Sequence, residues 1–192
     1  MSSVAVAAAL ARRRVPLGFA FGAIVILLAA PTPATLVVGS AVAVMGEALR
    51  FWAAGHLNKA REVTASGPYR WFAHPLYVGS SVMGLGLAIA SASVVVAVLI
   101  AAYLTVTLTA AVRSEEAFLR RKFGDRYGRY RSGETATPAG GRFSFALAMS
   151  NREYRAAVGL AVAVLLLSLA ATYNEPFWQA AGTHIWRLGG RK

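Results

Sequence analysis

Polar and apolar positions in this chain are segregated into blocks rather than alternating with a helical or strand period. Apolar runs cover residues 15–30 (opened by Pro16), 34–54, 76–90, 94–112 and 156–173. Each approaches the roughly 20 residues that a helix needs to cross the hydrocarbon core of a bilayer. Polar breaks fall at "PTP" (31–33), at "GPYRWFAHPLYVG" (67–79), at "SAS" (91–93) and in a long basic stretch after Val112. The pattern predicts an all-α, polytopic membrane protein with about five transmembrane helices. Its divisions are an N-terminal span (1–33), a membrane core (34–135), and a basic linker with an extra span and tail (136–192). "SAS" is long enough only for a tight turn, so the third and fourth spans form an antiparallel hairpin. The break at 67–75 and the segment after Val112 therefore emerge on the same side of the membrane.

Composition strengthens this picture. Of 192 residues, 57% are hydrophobic and 15% charged, against about a quarter charged in soluble domains. The N-terminal run has no small-residue cleavage site ahead of a soluble domain, so it is expected to stay as a span. The absence of cysteine excludes disulfides, thiolate metal sites and a cysteine nucleophile. A net charge of +12 would suit nucleic acid, but its distribution fits a membrane protein better. With the N-terminus inside, 17 Lys and Arg fall on that side, from Arg12–Arg14 to Arg155. Only Arg187, Arg191 and Lys192 fall opposite. Positive loops face the cytoplasm, so the N-terminus and the 67–79 motif are expected there and the C-terminal tail across the membrane. The expected partner is the bilayer, with no nucleic acid; oligomeric state is left open.

Three polar features stand out. In the first, Pro75 suits the first turn of a helix, which places His74 at the N-cap, where free N–H groups and the helix dipole favour an anion. Tyr77 lies in the first turn, Gly79 leaves room for close approach, and Gly67-Pro68 marks a turn that folds Tyr69 back toward the membrane. An interfacial loop with a His and aromatic residues would look the same. The second is "RSEEAFLRRKFGDRYGRY" (113–130), a helix continuing out of the fourth span to a stop at Gly124. Glu116, Leu119, Phe123 and Tyr127 share a stripe there, and Glu115 points about 100° away. Salt bridging on an exposed helix is the plainer account of the acidic and basic residues. The third is Glu47 with Arg50 near the end of the second span. Ionisable groups in a span are costly and are paired or functional, so this is a self-satisfied pair or a substrate contact.

His56, His74 and His184 have no metal-ligand spacing, and no metal site is expected. There is neither a Walker loop nor a dinucleotide fingerprint, and nothing suggests a hydrolase triad. Gly84 and Gly86 read as helix packing.

Taken together, "GPY" (67–69), "HPLY" (74–77), "EE" (115–116) and "FGDRYGRY" (123–130) resemble the isoprenylcysteine carboxyl methyltransferase family, which in turn is similar to membrane phospholipid methyltransferases. The order and spacing match over 46–130. Two departures stand out. Ala73 occupies the place of the family's usual Arg, with Arg70 three residues earlier, and the ending after Tyr130 gives way to a different sequence and an extra span. The resemblance implies a cytoplasm-facing pocket for S-adenosylmethionine (SAM). It implies cofactor contacts from Tyr69, His74, Pro75, Tyr77, Gly79, Glu115, Glu116 and Tyr127, with Arg50, His74 and Glu116 as the catalytic set. The SAM carboxylate would lie at the third span's N-terminus beside His74, and Glu116 would hold ribose hydroxyls or the amino group. A lipid-like or isoprenoid acceptor would enter from the bilayer: a carboxylate positioned by Arg50, or an amine or hydroxyl served by a base. An NADPH-dependent reductase of sterol-reductase type and a non-catalytic protein with a degenerate pocket are the alternatives.

Overall fold

The computed structural model describes residues 21–58, 63–133 and 141–189, with side chains described up to residue 172 except at 126 and 131. The expectations for Arg12–Arg14, for the start of the first span, and for the side chains of Arg187, Arg191 and Lys192 fall outside this description. The described chain is helical, without a strand. Helix α1 covers 21–28, α2 Pro33–Ala54, α3 Pro75–Ser91, α4 Val94–Phe123, α5 Asp125–Arg131, α6 Phe145–Ser150 and α7 Tyr154–Gly189, with a 3-10 turn at Gly67–Arg70.

Among the described residues, α2, α4 and the Tyr154–Thr172 stretch of α7 are long and apolar enough to cross a bilayer, as an integral membrane protein requires. Of the other two predicted spans, the third is shorter than that and the first is described only from residue 21 on. At 17 residues, α3 is about 26 Å long, under the roughly 30 Å of a hydrocarbon core, and the described part of the first span is the eight-residue α1. Val95, Val98 and Val106 of α4 are exposed, which suits a surface solvated by lipid tails.

Local chemistry sets the helix ends. Thr32 and Thr35 cap α2 reciprocally, each side chain bonding the other's backbone N–H at 3.0–3.2 Å, and Pro33 fills the first turn. Ser93 caps α4 through the Val96 N–H. The hairpin turn is Ala92, held left-handed at φ 49°, and Ser91 O accepts from Ala30 N at 2.9 Å, tying the end of α1 to it.

The centre of the fold is the antiparallel contact of α2 with α3, where backbone meets backbone. A Cβ on Gly39 would lie 2.5 Å from Gly86 O, and one on Gly46 would lie 2.6 Å from Gly79 O. Small residues allow such approach where lipid offers no hydrophobic drive between helices. Gly84 likewise receives Leu104 of α4. At one end, Ala29, Ala90 and Leu167 form a small core joining α1, α3 and α7. At the other, the chain is polar and folds back on itself. Gly67 has φ 57°, and any Cβ there would strike the His56 ring, so this turn demands glycine. It buries Pro68 and Tyr69.

The segment after α5 returns to the end of α2. Ser144 N donates to Gly55 O at 3.0 Å, and Asn151 Nδ2 donates to Ala54 O and Leu57 O, both at 2.9 Å. These bonds supply carbonyls that a helix C-terminus leaves without partners. Helix α7 then outlasts its apolar run, continuing past residue 173 to Gly189.

Candidate active site

Helix α4 leaves the apolar zone without a break, so its last turns carry Glu115 and Glu116 beside the start of α3. The two sequence constellations therefore meet. His74 is the N-cap of α3, with Pro75 in the first turn. Its Nδ1 lies 3.4 Å from Glu115 Oε2 and its Nε2 lies 3.4 Å from Glu116 Oε1. The ring stacks on Tyr77 at 5.6 Å. Hydrogen bonding to Glu115, aided by the charges of both acids, raises the His74 pKa above its ordinary value despite partial burial. Protonated, the ring donates to both carboxylates. The N-terminus of α3 is thus already furnished with acids, and this spot suits a cationic group better than the carboxylate expected there.

Past Phe123 the backbone breaks at Gly124, φ 48°, and α5 turns Tyr127 and Tyr130 inward. Tyr130 OH donates to Tyr69 O at 2.8 Å, closing α5 onto the 3-10 turn. Burial, followed by the nearby Glu115 charge, pushes the Tyr69 phenol well above its usual pKa, so it stays neutral.

These elements enclose a cavity of about 680 Å³. Tyr69, Tyr77, Tyr127 and Tyr130 give it an aromatic wall, with Leu119 and Phe118 from α4. Glu115 and Arg50 supply charge from the family-like core, and Asn58 and Thr64 line it from the loop after α2. Glu115, rather than its neighbour Glu116, belongs to this wall. A second hollow of about 610 Å³ lies between the start of α3 and the later turns of α4. It is lined by Trp71, Phe72, His74 and Leu108, and it shares Ala73 and Tyr77 with the first.

Several expected residues play other parts. Gly79 faces α2, where a Cβ would meet Arg50 Cγ at 2.6 Å, so its small size serves helix packing rather than ligand approach. Pro75 is buried and lines neither hollow. Arg70 is exposed and lines neither hollow, so it does not take the place of the arginine absent at Ala73.

Arg50 meets partners from α2, α3 and the α6–α7 turn. The expected partner, Glu47, lies 3.4 Å from Nε. A closer one is Glu153, whose Oε1 is 2.7 Å from Nη2. Nη1 donates to Ser80 Oγ and, at 3.5 Å, to Leu76 O. Arg152 and Arg155 join Glu153 and Asn151 on the cavity wall. The sequence reasoning missed this contribution of the α6–α7 turn. The available signal was Glu153 itself, the sole acid between residues 142 and 172, at the edge of an apolar run where charges are costly.

Residues 17–126 match the phospholipid methyltransferase family. The chain belongs to that family. The match takes in Arg50, the 67–79 motif and both glutamates, and it ends before α6 and α7. Among curated proteins, the nickel-cobalt-cadmium resistance protein NccN of Alcaligenes xylosoxydans xylosoxydans is 34% identical over 92 residues. That similarity covers 47% of this chain and 43% of NccN, so less than half of that relative's length is represented. No solved structure matches the chain significantly. Family membership and the three apolar helices identify an integral membrane protein of a methyltransferase family.

Proposed function

We propose that the chain is a SAM-dependent methyltransferase acting on a lipid-like acceptor at the cytoplasmic membrane surface. The observation that carries this reading is the convergence of His74, Tyr77 and Glu115 where the two hollows adjoin, from segments about 40 residues apart, inside a methyltransferase-family core. The cavity falls within the roughly 300–1,000 Å³ of small-molecule and cofactor sites, and its lining suits SAM. Glu115 would accept hydrogen bonds from ribose hydroxyls or the amino group. The tyrosine faces would meet the sulfonium by cation–π attraction. Arg152 and Arg155 at the rim would meet the carboxylate.

When bound, SAM supplies an electrophilic methyl group whose departure leaves a neutral thioether. The chain's own contribution is to hold donor and acceptor in line and to keep water out. His74, lying between two acids, holds the carboxylates' orientation. The hollow that shares Ala73 and Tyr77 with the main cavity offers the lateral path for an acceptor from the bilayer. The charge asymmetry of 17 against three supports a cytoplasmic site.

Calorimetric titration of the detergent-purified protein with SAM and with NADPH tests the proposal. Micromolar SAM binding is expected, weakened roughly tenfold or more by Glu115→Gln and less by Glu116→Gln. Binding of NADPH but not SAM would point to a reductase; binding of neither would remove the enzymatic reading.

A further inference from the structure

Arg50 is the cation that an acceptor carboxylate would seek in this cavity, and the protein has already given it one. Each of its three side-chain nitrogens is engaged: Nη2 by Glu153 at 2.7 Å, Nε by Glu47 at 3.4 Å, and Nη1 by Ser80 Oγ and Leu76 O. Glu153 is buried, with 7% of its side chain exposed. Its position is built rather than incidental. The turn that carries it is latched by the two Asn151 hydrogen bonds to the end of α2. Arg152 adopts a left-handed φ of 63°, and Glu153 N donates to Ala148 O at 3.2 Å. The whole turn lies beyond residue 126, where the family match ends.

We infer that Glu153 is a specificity-determining residue that closes the Arg50 site to carboxylate acceptors, leaving the cavity to acceptors whose nucleophile is neutral. The inference rests on the acceptor-binding role given to the cavity above. Two carboxylates already share one guanidinium, so a third would add like charge in a poorly solvated wall. An amine or hydroxyl meets no such penalty. The two arginines that remain in the cavity wall, Arg152 and Arg155, are exposed and would meet anionic groups only at the rim.

The test compares two probes that differ in one charge, N-acetyl-S-farnesylcysteine and its methyl ester, binding to the full chain in detergent without SAM. Wild type should bind the acid no better than the ester. Glu153→Gln frees Arg50 from one anion and should tighten acid binding roughly tenfold or more, with ester binding little changed. A folded Glu153→Gln protein with unaltered acid affinity overturns the inference, as does wild type that prefers the acid. If Glu153→Gln does not fold, Asn151→Ala carries the test, because it unlatches the turn and keeps every charge. A gain for the acid over the ester supports the inference, and an unchanged ratio overturns it. Failure to bind SAM alongside a preserved acid–ester difference would count against the methyltransferase reading and leave this selectivity standing.

Discussion

Replacing Gly46 by alanine should separate the two helices that hold the site. The added Cβ would lie 2.6 Å from Gly79 O, and closer still to Met83 N, whereas ordinary contact begins at 3.4 Å. The helices must therefore move by at least 0.8 Å, the difference between those two distances, because backbone atoms cannot rotate away. Overpacking of this kind costs about 1–3 kcal/mol, and the rigid neighbours argue for the upper half of that range. Alanine's better helix propensity returns up to about 1 kcal/mol. A net loss of about 2 kcal/mol, roughly a 30-fold fall in the folded-to-unfolded ratio, is expected. The assay is reversible unfolding in mixed micelles, with Gly159→Ala as control. Gly159 is also helical, but a Cβ there meets nothing within 4 Å, so that change should be neutral or mildly stabilising. Equal stability of Gly46→Ala and Gly159→Ala would refute the backbone contact between α2 and α3.

Arg50→Met leaves Glu47 and Glu153 buried without their shared cation and should cost about 3–5 kcal/mol in the same unfolding assay; a loss below about 1 kcal/mol would contradict the pairing. The raised His74 pKa predicts a pH dependence. The folded value exceeds the ordinary 6.5, so its stabilising contribution is complete below about pH 6.5 and disappears as pH rises through the folded value. The melting-temperature gap between wild type and His74→Asn should accordingly narrow on going alkaline, and a gap that widens would reverse the assignment. Ala92→Gly relieves a left-handed alanine in the hairpin turn and should stabilise by about 0.5–1 kcal/mol, read as a higher unfolding midpoint.

What the sequence made legible was local. The apolar runs, the "SAS" turn, Pro75 at a helix start, the "GPY" turn and the stop at Gly124 each depend on a few adjacent residues. The meeting of His74 with Glu115 and Glu116 followed from the hairpin alone, because a tight turn leaves few choices for its ends. Less accessible was anything that depends on rotation about a helix axis. Glu115 and Glu116 are neighbours in sequence, and only the packed orientation of α4 decides that Glu115 joins the cavity wall. Gly79 shows the same limit, since a small residue favours ligand and helix alike until a neighbour is in place. Glu153 stood out as a lone acid, but its pairing with Arg50 was beyond reach because 103 positions separate the two, with no local rule joining them. Glu47 at i,i+3 offered a nearer partner that sufficed on paper.

The unbroken course of α4 makes this helix a depth gauge. From its cap at Ser93 to Glu115 are 22 residues, about 33 Å of helix, only slightly more than the roughly 30 Å of hydrocarbon. The acidic pair therefore sits at the level of the headgroups when Ser93 sits at the opposite boundary. A one-residue deletion in the apolar part of α4 would lower the pair by about 1.5 Å and turn it by about 100°, bringing Glu116 to the position that Glu115 had held. Doubling the acid thus keeps a carboxylate on the cavity wall after a slip of one step, while Ala117 takes the Glu116 position and His74 loses its second acid. A thicker membrane has no such remedy: it would draw both carboxylates below the water line, making bilayer thickness itself a condition for the site's hydration.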